Sequence, residues 1–251
     1  MVSCIIPFHN EKGRVDQVIE VLLKTNSIDE IICVNDASTD DGEKELPAKY
    51  PSVKFINLKT NVGKSHAIKY GLNQSSGEYL LLMDADLQKL NHTEIDTIIQ
   101  FMKKNQSLDM LLLKDLYPHW ITQRIRHDII LSGKRILKAK DLHKVFSEIN
   151  PQQYQIEIGI NTYMTKHKKK VSFTTFSCKD TVKIDKIGLL PGTLSNLRMM
   201  ISIITFPSFL GYVQQLLFFG HDEVRLSSEN GLNKRILNVS NSASCRCDTR
   251  Q

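Results

Sequence analysis

No basic segment stands ahead of the first apolar run of this 251-residue chain, because Met1 leads straight into Val2–Pro7. No secretory leader is therefore expected, and the chain reads as cytoplasmic. Cysteine is scarce and odd in number, five in all. Cys4 and Cys33 fall inside apolar, strand-like runs, so they read as reduced core thiols, which argues against a disulfide framework. Cys245 and Cys247 lie in a Ser/Asn-rich stretch, and 238–251 is expected to be a disordered tail. With a cytoplasmic chain, the Asn-x-Ser/Thr triplets at Asn73, Asn91, Asn105 and Asn238 are chance matches. A P-loop is also missing. Gly63-Lys64-Ser65 invites one, but the glycine required five positions before Gly63 is replaced by Leu58. Finally, the sequence contains no Glu-Asp dipeptide, and its one Asp-Asp pair, Asp40-Asp41, lies far upstream.

What is present is the composition of an ordinary folded protein, 41% hydrophobic and 24% charged, long enough for one large domain or one domain plus an appendage. The net charge of +6 is mild, but the basic residues concentrate at 124–144 and 166–170. Such bias suits phosphate-bearing substrates, anionic lipid headgroups or nucleic acid, and charge alone does not choose among them.

Apolar runs of strand length recur at 2–7, 30–35, 53–58, 79–83, 110–113 and 171–176. Helical periodicity falls between them. Val15, Val18, Ile19, Leu22 and Leu23 share a face of 14–24, Ala67, Ile68, Gly71 and Leu72 follow Gly63, and Ile95, Ile98, Ile99 and Met102 share a face of 92–104. A further helix is expected over 155–164. Alternation at this spacing predicts an α/β fold with a doubly wound, mostly parallel sheet.

The centre of the pattern is Tyr79–Gln88. Its apolar run ends in Asp84-Ala85-Asp86, with the amide of Gln88 two residues on. In open α/β sheets the ligand crevice lies beyond the carboxyl ends of the strands. Three such ends, Pro7-Phe8-His9-Asn10, Asn35-Asp36 and Asp84-Ala85-Asp86, would converge there. Two carboxylates and an amide are hard oxygen donors, suited to Mg²⁺ or Mn²⁺ shared with substrate phosphates. The competing reading makes Asp84 a helix cap and leaves Asp86 solvated. Gly63 at a helix start suits close approach of an anion to backbone amides.

These residues carry a resemblance. Ile5–Glu11, Val34–Gly42, Asn61-Val62-Gly63-Lys64 with Ala67 and Gly71, and Gly77–Asp86 resemble, in order and spacing over about residues 1–90, the family 2 glycosyltransferases of the GT-A fold. Asp84-Ala85-Asp86-Leu87-Gln88 is similar to the dolichol- or polyprenyl-phosphate mannosyltransferases, and Ser132–Lys138 is similar to that subgroup's Gly-x-Arg segment after the sheet. The resemblance implies inverting transfer of a sugar from a GDP- or UDP-sugar, assisted by Mn²⁺ or Mg²⁺. It implies that Pro7, His9 and Glu11 line the nucleotide end, that Asp36 contacts base or ribose, and that Lys64 and Asp84 belong to the donor site. Asp84, Asp86 and Gln88 would serve the ion, with Asp86, Arg135 and Arg124 in the catalytic set.

For the acceptor two readings stand. A polyprenyl or dolichyl phosphate is already ionised and needs cations, which Arg124, Arg126, Lys134 and Arg135 offer. A glycan hydroxyl needs a base, for which Glu157 is the candidate; the alternative makes Glu157 a surface helix residue. A non-catalytic sugar-nucleotide-binding protein is a third possibility, whereas a receiver-like domain would leave Asp84–Gln88 unexplained. Nucleic acid is not an expected partner.

Residues 199–220 carry no charged side chain. Pro207 and the polar residues around it argue against a single span. Two helices, 193–205 and 208–219, are expected instead, lying in a membrane interface. Leu194, Leu197, Ile201 and Ile204 would form their apolar stripe, with Phe206, Phe209, Tyr212, Phe218 and Phe219 as interfacial aromatics. The alternative is a helical appendage packed on the catalytic domain or forming a dimer face. The organisation is thus a GT-A domain at 1–185, a helical appendage at 186–237 and the tail, in a peripheral protein on the cytoplasmic face of a membrane.

Overall fold

The computed structural model describes residues 1–116, 126–178, 200–206 and 208–226. In chain order the elements are β1 (Val2–Phe8), α1 (Lys12–Leu22), β2 (Glu30–Asn35), α2 (Gly42–Lys49), β3 (Lys54–Asn57), α3 (Lys64–Asn73), β4 (Tyr79–Leu82) and α4 (His92–Lys104). They continue with β5 (Met110–Asp115), α5 (His127–Ile130), β6 (Arg135–Lys138), α6 (Ala139–Glu148), α7 (Ile156–Lys166), β7 (Val171–Phe176), α8 (Phe209–Phe218) and β8 (Asp222–Glu223). The strands form one sheet in the order β3-β2-β1-β4-β6-β5-β7-β8. Every neighbouring pair is parallel except those of β6, which runs antiparallel to both β4 and β5.

Strand alternation explains the two-faced core. Val2, Cys4, Ile6 and Phe8 of β1 join Leu81 and Met83 under α1 and α4, while Ile5, Leu80 and Leu82 face α3, α6 and α7 on the other side. The helices bury the faces their periodicity predicts. Val15, Val18, Ile19 and Leu22 are buried in α1, and Ile95, Ile98, Ile99 and Met102 in α4. Leu23 does not join them; it lies beyond the end of α1 and is 44% exposed.

Five elements were not anticipated, the short α5 and β8 and three longer or more central ones. α2 contains Pro47 and buries only Gly42 and Leu46, so it carries little periodic signal. β6 has only four residues, bounded by Arg135 and Lys138. The segment expected after the sheet in fact lies inside it, with Arg135 opposite Leu82 on one side and Leu112 on the other. α6, which follows directly, buries Leu142, Val145 and Phe146.

In the C-terminal region, residues 200–205 and α8 are helical; Pro207, 193–199 and the tail lie outside the described residues. Among the described residues no helix is long and apolar enough to cross a membrane. Two of the aromatics expected at an interface are core residues instead, Tyr212 at 4% and Phe219 at 5% exposure. The cause is packing of α8 on α7, where Gln215 Nε2 donates to Thr162 Oγ1 at 3.0 Å. β8 then pairs with β7, adding this part of the chain to the main sheet.

Candidate active site

The loops after β1, β2 and β4 leave the same edge of the sheet. Their tight bends appear as positive φ at Asn10, Ala37, Asp41 and Lys89. The first two loops are stitched together: Thr39 N donates to Asn10 Oδ1 at 2.7 Å, and Asn10 N donates to Ser38 Oγ at 2.9 Å. His9 Nδ1 donates to the Asp36 carbonyl at 2.7 Å. Pro7 and Glu11 are half-buried beside exposed His9, and Glu11 pairs with Arg14.

The Asp36 carboxylate, expected to meet base or ribose, is turned onto the chain. It accepts from Val62 N at 2.7 Å and from Gly63 N at 2.9 Å. Ser65 N donates to the Gln153 carbonyl at 2.8 Å. Amides at the start of α3 that could have met a substrate anion are thus already occupied. Gly63 has a φ of +83°, and a Cβ there would stand 2.9 Å from Gln153 Cα, so both backbone and packing require glycine.

Lys64, the first residue of α3, reaches across the crevice. Its Nζ lies 2.6 Å from Asp84 Oδ1 and 2.6 Å from Glu157 Oε1, joining the end of β4 to the first turn of α7. Burial disfavours the charged ammonium, but Asp84 and Glu157 outweigh it and raise the Lys64 pKa well above its ordinary value. Burial likewise pushes the Asp84 carboxyl up, and Lys64, with Lys134 and Arg135 behind it, more than reverses this. Both groups are charged at neutral pH.

α7 explains why Glu157 is here. The helix is buried from Ile156 to Met164 except at half-buried Thr162, so its polar side chains there must find partners within the protein. Glu157 and Asn161 are one turn apart on it; Arg135 Nη1 donates to the Glu157 backbone carbonyl at 3.4 Å and to the Asn161 side chain, while the Glu157 carboxylate faces Lys64. Glu157 is 7% exposed, so it is not a surface helix residue.

Arg135 itself is completely buried. Nη1 donates to Asn161 Oδ1 at 3.0 Å, Nε donates to the Ser132 carbonyl at 3.0 Å, and Nη2 donates to the same carbonyl. Burial pushes its pKa down to about 10, opposed by Glu157 and Asp84, which leaves it cationic. Lys134 is 1% exposed and pairs with Asp115 at 2.7 Å. Arg126 donates to the carbonyls of Leu216, Phe219 and Gly220, capping the end of α8. Arg124 lies outside the described residues. Of the basic residues expected to face an acceptor, Lys134 and Arg135 lie buried beneath the Asp84 carboxylate, whereas Arg126 is used at the end of α8.

Asp86 is half-buried and Gln88 exposed in the loop after β4. Among the described residues no three His, Cys, Asp or Glu side chains gather as a ready metal cage. The donor set nevertheless fits Mg²⁺ or Mn²⁺, hard ions that take one or two carboxylates and complete their shell with water and substrate phosphates.

Sequence reasoning missed Gln153, Asn161 and the role of Gly133. Asn161 did leave a signal, an amide interrupting the run Ile156, Ile158, Ile160, Met164.

The fold and this strand-end crevice define a GT-A type α/β protein. Glucosyl-3-phosphoglycerate synthase from Mycobacterium tuberculosis, solved with Mn²⁺, UDP-glucose and phosphoglyceric acid, superposes with a TM-score of 0.64 at 15% identity, over 82% of this chain and 79% of that one. The chain belongs to glycosyl transferase family 2, whose description matches residues 3–162. An uncharacterised glycosyltransferase from Synechocystis is 36% identical over 105 residues, 38% of this chain and 33% of its own length. A dolichyl-phosphate β-glucosyltransferase from Trichomonas vaginalis is 32% identical over 116 residues, 41% of this chain and 33% of its own. The matched part thus spans about a third of each of these relatives.

Proposed function

We propose that this chain transfers a sugar from a GDP- or UDP-sugar to a polyprenyl or dolichyl phosphate. The observation that carries the reading is the Asp84–Lys64–Glu157 bridge at the carboxyl ends of the strands, which joins the end of β4 to the first turn of α7. The named activity of the dolichyl-phosphate relative supports the acceptor class. In this reading Pro7, His9 and Glu11 line the nucleotide end, Asp36 holds the loop beneath it, and Asp84 and Lys64 orient ribose and diphosphate.

Asp86 and Gln88, beside Asp84, would hold a divalent ion, which neutralises the charge that develops on the departing diphosphate. The buried charge of Arg135 beneath the crevice favours an ionised acceptor, and Arg124, in the same basic stretch of sequence, is proposed to join it. The exposed residues of α8 (Phe209, Leu210, Leu217 and Phe218) would lie at the cytoplasmic membrane surface, where a lipid acceptor is presented.

Glu157 favours a second reading. It stands in the crevice beside Lys64, whereas Arg126, Lys134 and Arg135 are engaged within the protein. A sugar hydroxyl would then be the acceptor, with Glu157 as its base. A non-catalytic sugar-nucleotide binder remains the alternative outside enzymology.

The deciding assay offers Mn²⁺ and a panel of GDP- and UDP-sugars with either a short polyprenyl phosphate or free glycosides, using wild type and Glu157→Gln. Lipid-linked sugar that persists in Glu157→Gln is the expected result. Glycoside product abolished by that change would transfer the conclusion to the hydroxyl acceptor. Absence of both transfer and donor hydrolysis would leave only the binding protein.

A further inference from the structure

Among the described glycines only Gly63 and Gly220 hold a positive φ. The backbone at Gly133 therefore does not require glycine, yet space does. A Cβ at Gly133 would stand 2.6 Å from Asp84 Oδ1 and 2.7 Å from Asp84 Cγ, and closer still to Oδ2. The carboxylate rests directly on this glycine.

The turn cannot yield, and the carboxylate can do so only by giving up Lys64. The turn is held by Ser132 Oγ donating to the Leu113 carbonyl at 2.8 Å and by Leu113 N donating to the Lys134 carbonyl at 3.0 Å. Arg135 Nε ties back to the Ser132 carbonyl at 3.0 Å, and Arg135 is in register between β4 and β5. On the other side Lys64 grips Asp84 at 2.6 Å and is itself held by Glu157 at 2.6 Å. A side chain at 133 can be accommodated only by swinging the Asp84 carboxylate away from Lys64, because the alternative breaks the centre of the sheet.

We propose that Gly133 is a positioning residue for sugar-nucleotide binding: its missing side chain is the seat that holds the Asp84 carboxylate between the β6 turn and Lys64, aimed at the donor. The proposal rests on the donor-site reading above. The antiparallel insertion of β6 acquires a purpose from it, since it brings a side-chain-free backbone beneath the end of β4.

The test is a double-mutant cycle with wild type, Gly133→Ala, Asp84→Ala and the double variant. Two readouts are taken: urea unfolding, and calorimetric binding of GDP and of UDP with Mn²⁺. Gly133→Ala is expected to weaken nucleotide binding about tenfold, the loss of one charge-assisted contact, and to move the urea midpoint down. In the Asp84→Ala background the same change is expected to alter neither readout, because the carboxylate it displaces is gone. A merely structural glycine would give losses that multiply, and that result overturns the proposal, as would a Gly133→Ala protein that binds nucleotide as wild type does. If wild type binds neither nucleotide, the donor reading fails, and the unfolding cycle still decides whether the glycine acts through Asp84. Should Gly133→Ala not fold, the double variant is expected to fold; its failure to do so would equally sink the idea.

Discussion

Asp36 illustrates how a residue of the right type and place can serve the protein before it serves a substrate. Its two oxygens accept the amides of Val62 and Gly63, so Asp36→Asn puts an amide N–H against a backbone N–H. A loss of about 1–3 kcal/mol in urea unfolding is expected, the cost of an unsatisfied buried donor. The Lys64–Asp84 pair makes a pH prediction. The Asp84 carboxyl is held below its ordinary 3.8, so its contribution is present above that value and lost as pH falls through the native one. The Lys64 ammonium is held above its ordinary 10.5, so its contribution is present below that value and lost as pH rises further. The stability difference between wild type and Lys64→Met is therefore expected to be flat in between and to narrow below 3.8 and above 10.5. A difference that widens in acid would contradict the pairing. The places of Asp84 and Lys64 were legible, because a carboxylate ending an apolar strand and a lysine opening a helix have predictable positions; for Glu157 the sequence left a base and a surface residue both open, and its burial was not legible. Nor was the burial of Arg135. An arginine in a basic run looks the same whether it faces solvent or a buried amide, and only the pairing of β6 decides.

α7 links packing to chemistry at the scale of an element. Asn161 has Oδ1 on Arg135 and Nδ2 on the Ile130 carbonyl at 2.8 Å. Asn161→Leu strands a buried guanidinium donor, and a destabilisation of about 2 kcal/mol or more is expected in urea unfolding, since donors on charged groups are the costly ones to orphan. An unchanged midpoint would show that water replaces the amide. Elements with long, regular signals could be read from sequence. β2, β7 and α4 have the bounds their patterns suggest, and α4 carries its own N-cap, Asn91, whose side chain accepts from Thr93 N at 3.0 Å. α2 and β6 could not, because a proline interrupts the first and the second is too short for alternation to register. α8 was legible as a helix but not in its facing. Its lack of charge hid the fact that Tyr212, Gln215 and Phe219 pack inward while Phe209 and Phe218 are 66% and 75% exposed.

The molecule as a whole is a sheet whose parallel half supplies acidic loops and whose antiparallel insertion supplies a cationic floor. Fold class followed from strand and helix alternation alone, whereas the floor depended on long-range pairing that no local pattern records. The exposed apolar residues of α8 predict flotation with anionic liposomes, reduced several-fold in Leu210→Glu/Phe218→Glu at unchanged thermal stability. Equal flotation of both proteins would remove α8 from any membrane contact. The central claim, metal-assisted transfer from a sugar nucleotide, is tested most directly by single-turnover consumption of GDP- and UDP-sugars with Mn²⁺ in wild type and Asp86→Ala. A fall of about a hundredfold or more in the variant is predicted, the scale at which loss of one electrostatic element in a transition state is felt. A variant as fast as wild type with Mn²⁺ present would contradict the account.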